Sequence, residues 1–264
     1  FDIRDSGAVR EAVGRARPEF VFHLAAVGVT DPGIDPMTAL TVNAGGAVNL
    51  LEALRGTDPE RIVLAGTCYE YGASQGDKRL DPFNAYAASK VAAWAFGRMY
   101  WRTYDLPVVT VRPFQVYGPG QPNGTLIPSA VRAAISGKDF PMTPGKQIRD
   151  FIFVEDVARG MMAAAAMTAG EGQSLDLGTG RGTPVREVVE NLWDLTRARG
   201  DIQAGALPYR RGSAMHLVAD ADRTAEMIGW RARTPLEKGL RITVAALKRG
   251  SAHTYDDRIV SDEH

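Results

Sequence analysis

Residues 61–90, RIVLAGTCYEYGASQGDKRLDPFNAYAASK, hold the reading that decides the fold. Arg61 to Gly66 reads as a strand too apolar to have a wet face, and NAYAASK opens a helical pattern running from about Asn84 to Tyr104. The glycine, aspartate and proline between them mark a loop. Working outward, Glu19 to Ala26 (EFVFHLAA) is a second buried strand, followed by a punctuated loop and a helical pattern from about Pro36 to Leu54. Downstream, Val108 to Arg112 is a β-branched strand. Strands and helices therefore alternate, which predicts an α/β fold: a doubly wound, Rossmann-type parallel sheet covered by helices on both faces.

After Pro113 the pattern loosens into YGPGQPNG (117–124), where three glycines and two prolines in eight residues exclude regular structure. A helix near Leu126 to Gly137, a return strand around Phe151, an alanine-rich helix to Met167, the strand Leu175 to Leu177 and a helix from about Thr183 to Ala198 follow. These divide the chain into a large domain, 1–116 with 149–180, and a second, smaller substrate domain, 117–148 with 181–250. Residues 251–264 lack apolar periodicity and read as a tail.

With 264 residues, 45% hydrophobic and 23% charged, the chain can bury a large core. Equal numbers of basic and acidic residues, 31 each, give no electrostatic footprint for nucleic acid or an anionic membrane. No apolar run approaches the roughly 18 residues of a membrane span and no leader pattern opens the chain, so a cytoplasmic setting is expected. The single cysteine, Cys68, and four scattered histidines predict neither a disulfide nor a metal site. A doubly wound dinucleotide domain should begin with a strand, a glycine-rich turn and a helix. GxGxxG is absent and the chain opens at Phe1 and Asp2 in mid-pattern, so the expectation is that roughly 50 to 60 residues, about two βα units, precede Phe1.

Tyr86 and Lys90 lie four apart in a helical segment and share a face. Bringing a phenol of pKa about 10 near neutrality takes about 4 kcal/mol, and one ammonium at about 4 Å supplies a comparable amount at an effective dielectric of 20. That suits a tyrosine acid/base, although an exposed helix pair would show the same spacing. Thr67 ends an apolar strand, and ligands of open α/β sheets gather at the carboxyl ends of strands.

HLAA (23–26), GTCYEYG (66–72), YAASK (86–90) and RPFQVYGPGQ (112–121) occur in one order at strand ends. From Phe1 to about Gly250 the chain resembles the extended short-chain dehydrogenases/reductases of the NAD(P)-dependent nucleotide-sugar epimerase/dehydratase family. The resemblance implies that the large domain binds the dinucleotide and the smaller one the nucleotide sugar, in a homodimer. It places Asp2 and Ile3 at the adenine, Leu24, Ala25 and Ala26 beneath the cofactor, and Asn43 in the helix beside it. Pro113 would back the nicotinamide. Thr67 would bond the sugar hydroxyl, Tyr86 serve as acid/base and Lys90 bind the ribose and tune Tyr86. Gln115 stands near the sugar nucleotide, and Arg149 with Arg210 or Arg211 matches the diphosphate-binding arginines; forked guanidiniums suit phosphate. On residues alone, an ion pair of Arg149 with Asp150 or Asp156 is the lesser alternative to phosphate binding, and Asn43 reads equally as a satisfied buried amide.

Members that expel water carry an acid and a base in the two positions after the threonine; here these are Cys68 and Tyr69. Glu70 is one place further on and faces elsewhere if the segment is extended. The expected reaction is hydride transfer at a carbinol carbon with NAD, NADP being left open, most simply a 4-epimerisation. A 4-keto-sugar reductase uses the same residues, and a dinucleotide-binding sensor is the alternative from another class.

Overall fold

Local signals in the first lobe all point to one alternating pattern. The computed structural model describes residues 1–256 other than 32, 78, 169 and 211. Helix α1 (Ser6–Ala16) starts at Asp5, whose carboxylate accepts from the amides of Gly7 and Ala8. Strand β1 (Phe20–His23) leads to α2 (Pro36–Ala39), capped by Asp35 and opened by a proline whose missing N–H costs nothing there. A π-helical segment, Leu40–Gly45, continues into α3 (Gly46–Leu54), so the single helix read over 36–54 is one rod with a π bulge at Asn43. Strand β2 (Arg61–Ala65), a 3-10 segment (Cys68–Asp77), α4 (Ala85–Tyr104) and β3 (Val108–Pro113) follow.

The second half contains β4 (Gln115–Tyr117), α5 (Leu126–Ile135), β5 (Phe140–Met142), β6 (Ile148–Arg149) and β7 (Phe151–Phe153). Next come α6 (Val154–Ala165), β8 (Ser174–Leu177), β9 (Thr183–Pro184) and α7 (Val185–Thr196). Last are β10 (Ile202–Ala204), β11 (His216–Leu217), α8 (Ala221–Ile228) and α9 (Leu236–Asp256), the last helix entering the stretch read as tail.

Strands β1, β2, β3 and β8 form a parallel sheet in that order. Successive side chains face opposite ways. Ile62 and Leu64 join Val9, Val13, Leu51, Leu54 and Tyr100 under α1, α3 and α4. Val63 points the other way, with Val109, Val111, Leu175 and Leu177 against α6. Helices thus cover both faces, as the apolar strands required. At the β1 edge cover is thinner: Phe20 and Phe22 stay 44% and 36% exposed. Leu24 to Ala26, read as strand, leave the sheet after His23. The second lobe has its own core of Tyr117, Ile127, Val131, Val188, Leu192 and Leu240. Phe151 and Phe153 of β7 enter that core whereas Ile152 enters the sheet core, so β7 stitches the lobes together.

Candidate active site

Tyr86 and Lys90 stand one turn apart on the buried face of α4, whose start is fixed by Asn84: its side-chain oxygen accepts from the Ala87 amide at 2.8 Å. Lys90 Nζ donates to the Ala65 carbonyl at the end of β2, 2.7 Å away, and lies 6.0 Å from the Tyr86 ring centre. Thr67 stands beside the Tyr86 phenol, close enough to act on its ionisation. The three residues line one cavity of about 620 Å³ together with Leu24, Ala26, Pro113 and Gln115. Asn43 braces this wall from the π bulge. It accepts from the Val27 amide at 2.8 Å and donates to the Val27 carbonyl at 3.0 Å and to Ser89 Oγ at 2.9 Å. Ser89 in turn donates to the Tyr86 carbonyl. Asn43 is therefore a satisfied buried amide that locks the loop after β1 onto α4.

Burial pushes the Tyr86 phenol well above its ordinary value; Thr67 opposes this, and Cys68, Glu70 and Tyr69 add to it. Lys90 is not among the causes of the shift; its ammonium donates to the Ala65 carbonyl. Burial also brings Lys90 down to about 8, with Glu70 pulling the other way. His23 falls to about 4 through burial and then through Lys90.

A second cavity, about 340 Å³, adjoins the first and shares Val29, Thr30, Tyr69 and Tyr86 with it. Arg149 and Arg210 line it. Neither acid beside Arg149 pairs with it. Asp150 accepts from the amides of Thr179 and Gly180, and Asp156 from Arg159 and the Arg233 and Thr234 amides. Arg149 donates instead to the carbonyls of Ile148 (2.8 Å) and Ala214 (2.6 Å), and burial holds its pKa below the usual value. Among the described residues this half-buried guanidinium meets no carboxylate, which leaves it suited to an added anion. Arg211 lies outside the described residues.

Asp2 and Ile3 are not part of either cavity lining. The Asp2 carboxylate binds Arg4, chiefly through its side chain, and sits at about 2; Ile3 packs against Gly46. Ala25 also stays off the cavity wall, between Leu24 and Ala26 which form it. The segment after Thr67 is 3-10 rather than extended, and that geometry stacks side chain i+3 over i. Glu70 therefore turns back beneath Thr67, which periodicity-2 reasoning missed. Burial lifts both Cys68 and Tyr69 to about 12, and Tyr69 donates to Gln115 at 3.2 Å. Among the described residues no three His, Cys, Asp or Glu side chains gather around a metal-sized site, and no helix is long and apolar enough to cross a membrane.

The model of the NAD dependent epimerase/dehydratase family matches residues 1–178. The chain belongs to that family. A UDP-glucose 4-epimerase of Mycolicibacterium smegmatis is 32% identical over 249 residues, 89% of this chain and 78% of that protein. A dTDP-glucose 4,6-dehydratase of Neisseria gonorrhoeae is 31% identical over 92% of this chain and 78% of its own. The UDP-glucose 4-epimerase of Thermus thermophilus, solved with NAD, superposes with a TM-score of 0.81 at 28% identity, covering 94% of this chain and 83% of that one.

The first cavity fits the nicotinamide end of such a cofactor. Lys90 has three N–H donors and gives one to Ala65, leaving donors for a ribose hydroxyl. Leu24, Ala26, Pro113 and Val154 make an apolar wall that would accept the ring.

Proposed function

We propose that this family member is an NAD-dependent nucleotide-sugar 4-epimerase. The observation that carries the reading is the junction of the two cavities at Tyr86: the tyrosine beside Thr67 and Lys90 on one side and Arg149 with Arg210 on the other. A nucleotide sugar laid across the junction has its diphosphate at the guanidiniums and its sugar at the phenol. NAD, when bound, would supply the acceptor and donor of the C4 hydride, and inversion would follow from the transient ketone being re-reduced on its other face. Tyr86 takes the proton of the C4 hydroxyl and gives it back, Thr67 orients that hydroxyl, and Lys90 holds the ribose. The Asp2 and Ile3 assignment to the adenine belongs to this reading. So does the homodimer, for which Met37 and Leu40 beside α4, with Phe96 and Met99 on it, offer exposed apolar side chains.

A second reading, a 4-keto-sugar reductase using NAD(P)H, is favoured by the raised Tyr86 pKa, since a protonated phenol is the acid that ketone reduction needs. Incubation of UDP-, dTDP-, CDP- and GDP-hexoses with the protein and NAD separates the two. C4-epimeric product without net cofactor reduction supports the epimerase. Turnover only of 4-keto sugars with NAD(P)H replaces it with the reductase, and absence of both overturns the enzyme reading.

A further inference from the structure

Behind Thr67 lies a buried ion pair that the reaction as written does not use. Glu70 is fully buried and its two oxygens are divided: Oε1 accepts from the Thr67 amide at 2.8 Å, and Oε2 from Arg112 Nε at 2.7 Å. Arg112 is 4% exposed and is the next-to-last residue of β3, immediately before Pro113, a wall of the first cavity. One carboxylate thus ties the ends of β2 and β3, the two strands that deliver Thr67 and Pro113. The tie continues outward through Arg112 to the Tyr71 hydroxyl (3.4 Å), which donates to Asp176 at 2.7 Å. Space for it comes from Gly66, where a Cβ would collide with Glu70 Oε1 and crowd the Val111 carbonyl. Gly66 and Glu70 are therefore a matched pair within GTCYEYG.

We propose that Glu70, anchored by Arg112 and admitted by Gly66, is a positioning residue that fixes the Thr67 hydroxyl against Tyr86 and the reacting sugar carbon. The proposal rests on the function assigned above. Breaking a buried pair is costly on general grounds because the remaining charge is left uncompensated. The specific claim is about turnover: a displaced Thr67 misaligns the hydroxyl, and misplacement on the order of 1 Å can cost about 100-fold. The negative charge of Glu70 acts on the same groups electrically. Facing Tyr86 are Thr67, Cys68, Tyr69 and Glu70 from the segment after β2, Lys90 from its own helix, and Arg149 and Arg210 across the second cavity. Glu70 favours the protonated forms of both Tyr86 and Lys90. Its neutralisation moves both groups to lower pH.

The test compares Glu70→Gln, Glu70→Asp and Gly66→Ala with wild type and Tyr86→Phe in the NAD-loaded enzyme acting on its nucleotide sugar. Expected is a fall in kcat of roughly 10- to 100-fold in all three with KM within about twofold. The alkaline limb of the pH–kcat profile should move to lower pH in Glu70→Gln and stay closer to wild type in Glu70→Asp, which keeps the charge. Wild-type kcat in any folded variant overturns the proposal, as does a Glu70→Gln profile that does not move. If neither Glu70 variant folds, Glu70 belongs to the scaffold and the positioning role is also overturned. Undiminished turnover in Tyr86→Phe would instead strike the function reading and leave this one to be judged on the other variants.

Discussion

The two cavities that meet at Tyr86 are built from opposite materials. The first is walled by Leu24, Ala26, Pro113 and Val154, and its working groups, Tyr86 and Lys90, are neutralisable and moved far from their ordinary pKa values by burial. The second is lined by Arg149 and Arg210, side chains that stay charged at any physiological pH. A proton-transferring group gains from a desolvated setting in which small changes of charge shift its protonation. A diphosphate grip gains from cations that never titrate. The difference teaches which cavity should govern turnover and which should govern affinity.

The largest effect should come from the first cavity. Tyr86→Phe is expected to lower kcat by roughly 100-fold or more while KM changes little, the scale of a lost general acid/base. Steady-state kinetics with the nucleotide sugar decides it; a KM effect of similar size would merge the two cavities into one binding site. Next is acid. His23, buried beside Lys90 with its Nε2 unpartnered, is held neutral, so between about pH 6.5 and about 4 the unfolded chain binds a proton that the folded chain refuses. Stability present above pH 6.5 should drop as the pH falls through that window, by an amount on the order of 3 kcal/mol. Thermal unfolding of wild type and His23→Asn across the window measures it; equal slopes in the two would remove His23 from the account.

Much of this was legible in the sequence because it depended on short-range pattern. The strands around Ile62 and Val109, the α4 helix with its Asn84 cap, and Tyr86 and Lys90 on one face all follow from periodicity and capping. The arginine cavity required the family resemblance, since Arg149 and Arg210 are 61 positions apart and nothing local unites them. Glu70 was misread because over the three residues from Thr67 an extended segment turns the side chain to the opposite face while a 3-10 segment brings it back to the same one, and no propensity in CYEYG separates the two. The fixing of Asn43 to Val27 and Ser89 was likewise invisible, since it depends on a π bulge that shifts the helix face.

For the second cavity the expected effect is on affinity. Arg149→Ala should raise KM for the nucleotide sugar by roughly 30- to 150-fold, equivalent to about 2 to 3 kcal/mol for a charge-assisted contact, with kcat nearly unchanged. Arg210→Ala should act in the same direction but less, because Arg210 is exposed and its charge is screened. Binding of UDP, CDP, GDP and dTDP by calorimetry isolates the diphosphate contribution. If Arg149→Ala leaves these affinities unaltered, the guanidinium serves only the Ile148 and Ala214 carbonyls and the contrast between the cavities fails.

The smallest expected effect is also the one that excludes elimination. Cys68 is fully buried beside Tyr86, and burial lifts its thiol to about 12. Near neutrality it is a poor base for a carbon-bound proton, because the thiolate is nearly absent. Tyr69, lifted equally by burial, is no better. A 4,6-dehydratase needs a base for the C5 proton and an acid for the departing C6 oxygen, so in such an enzyme the change Cys68→Ala would cost turnover on the scale of a lost acid/base, roughly 100- to 10,000-fold. For a hydride shift at C4 the thiol is packing alone: Cys68→Ala should leave kcat and KM within about twofold and cost about 1 kcal/mol of stability. Incubating the same variant and wild type with NDP-hexoses in deuterated water completes the distinction. Deuterium at C5 with loss of the 6-hydroxyl would establish elimination and dissolve the division of labour between the cavities. A C4 epimer carrying no solvent label on carbon would exclude proton abstraction at carbon and leave a hydride shift at C4.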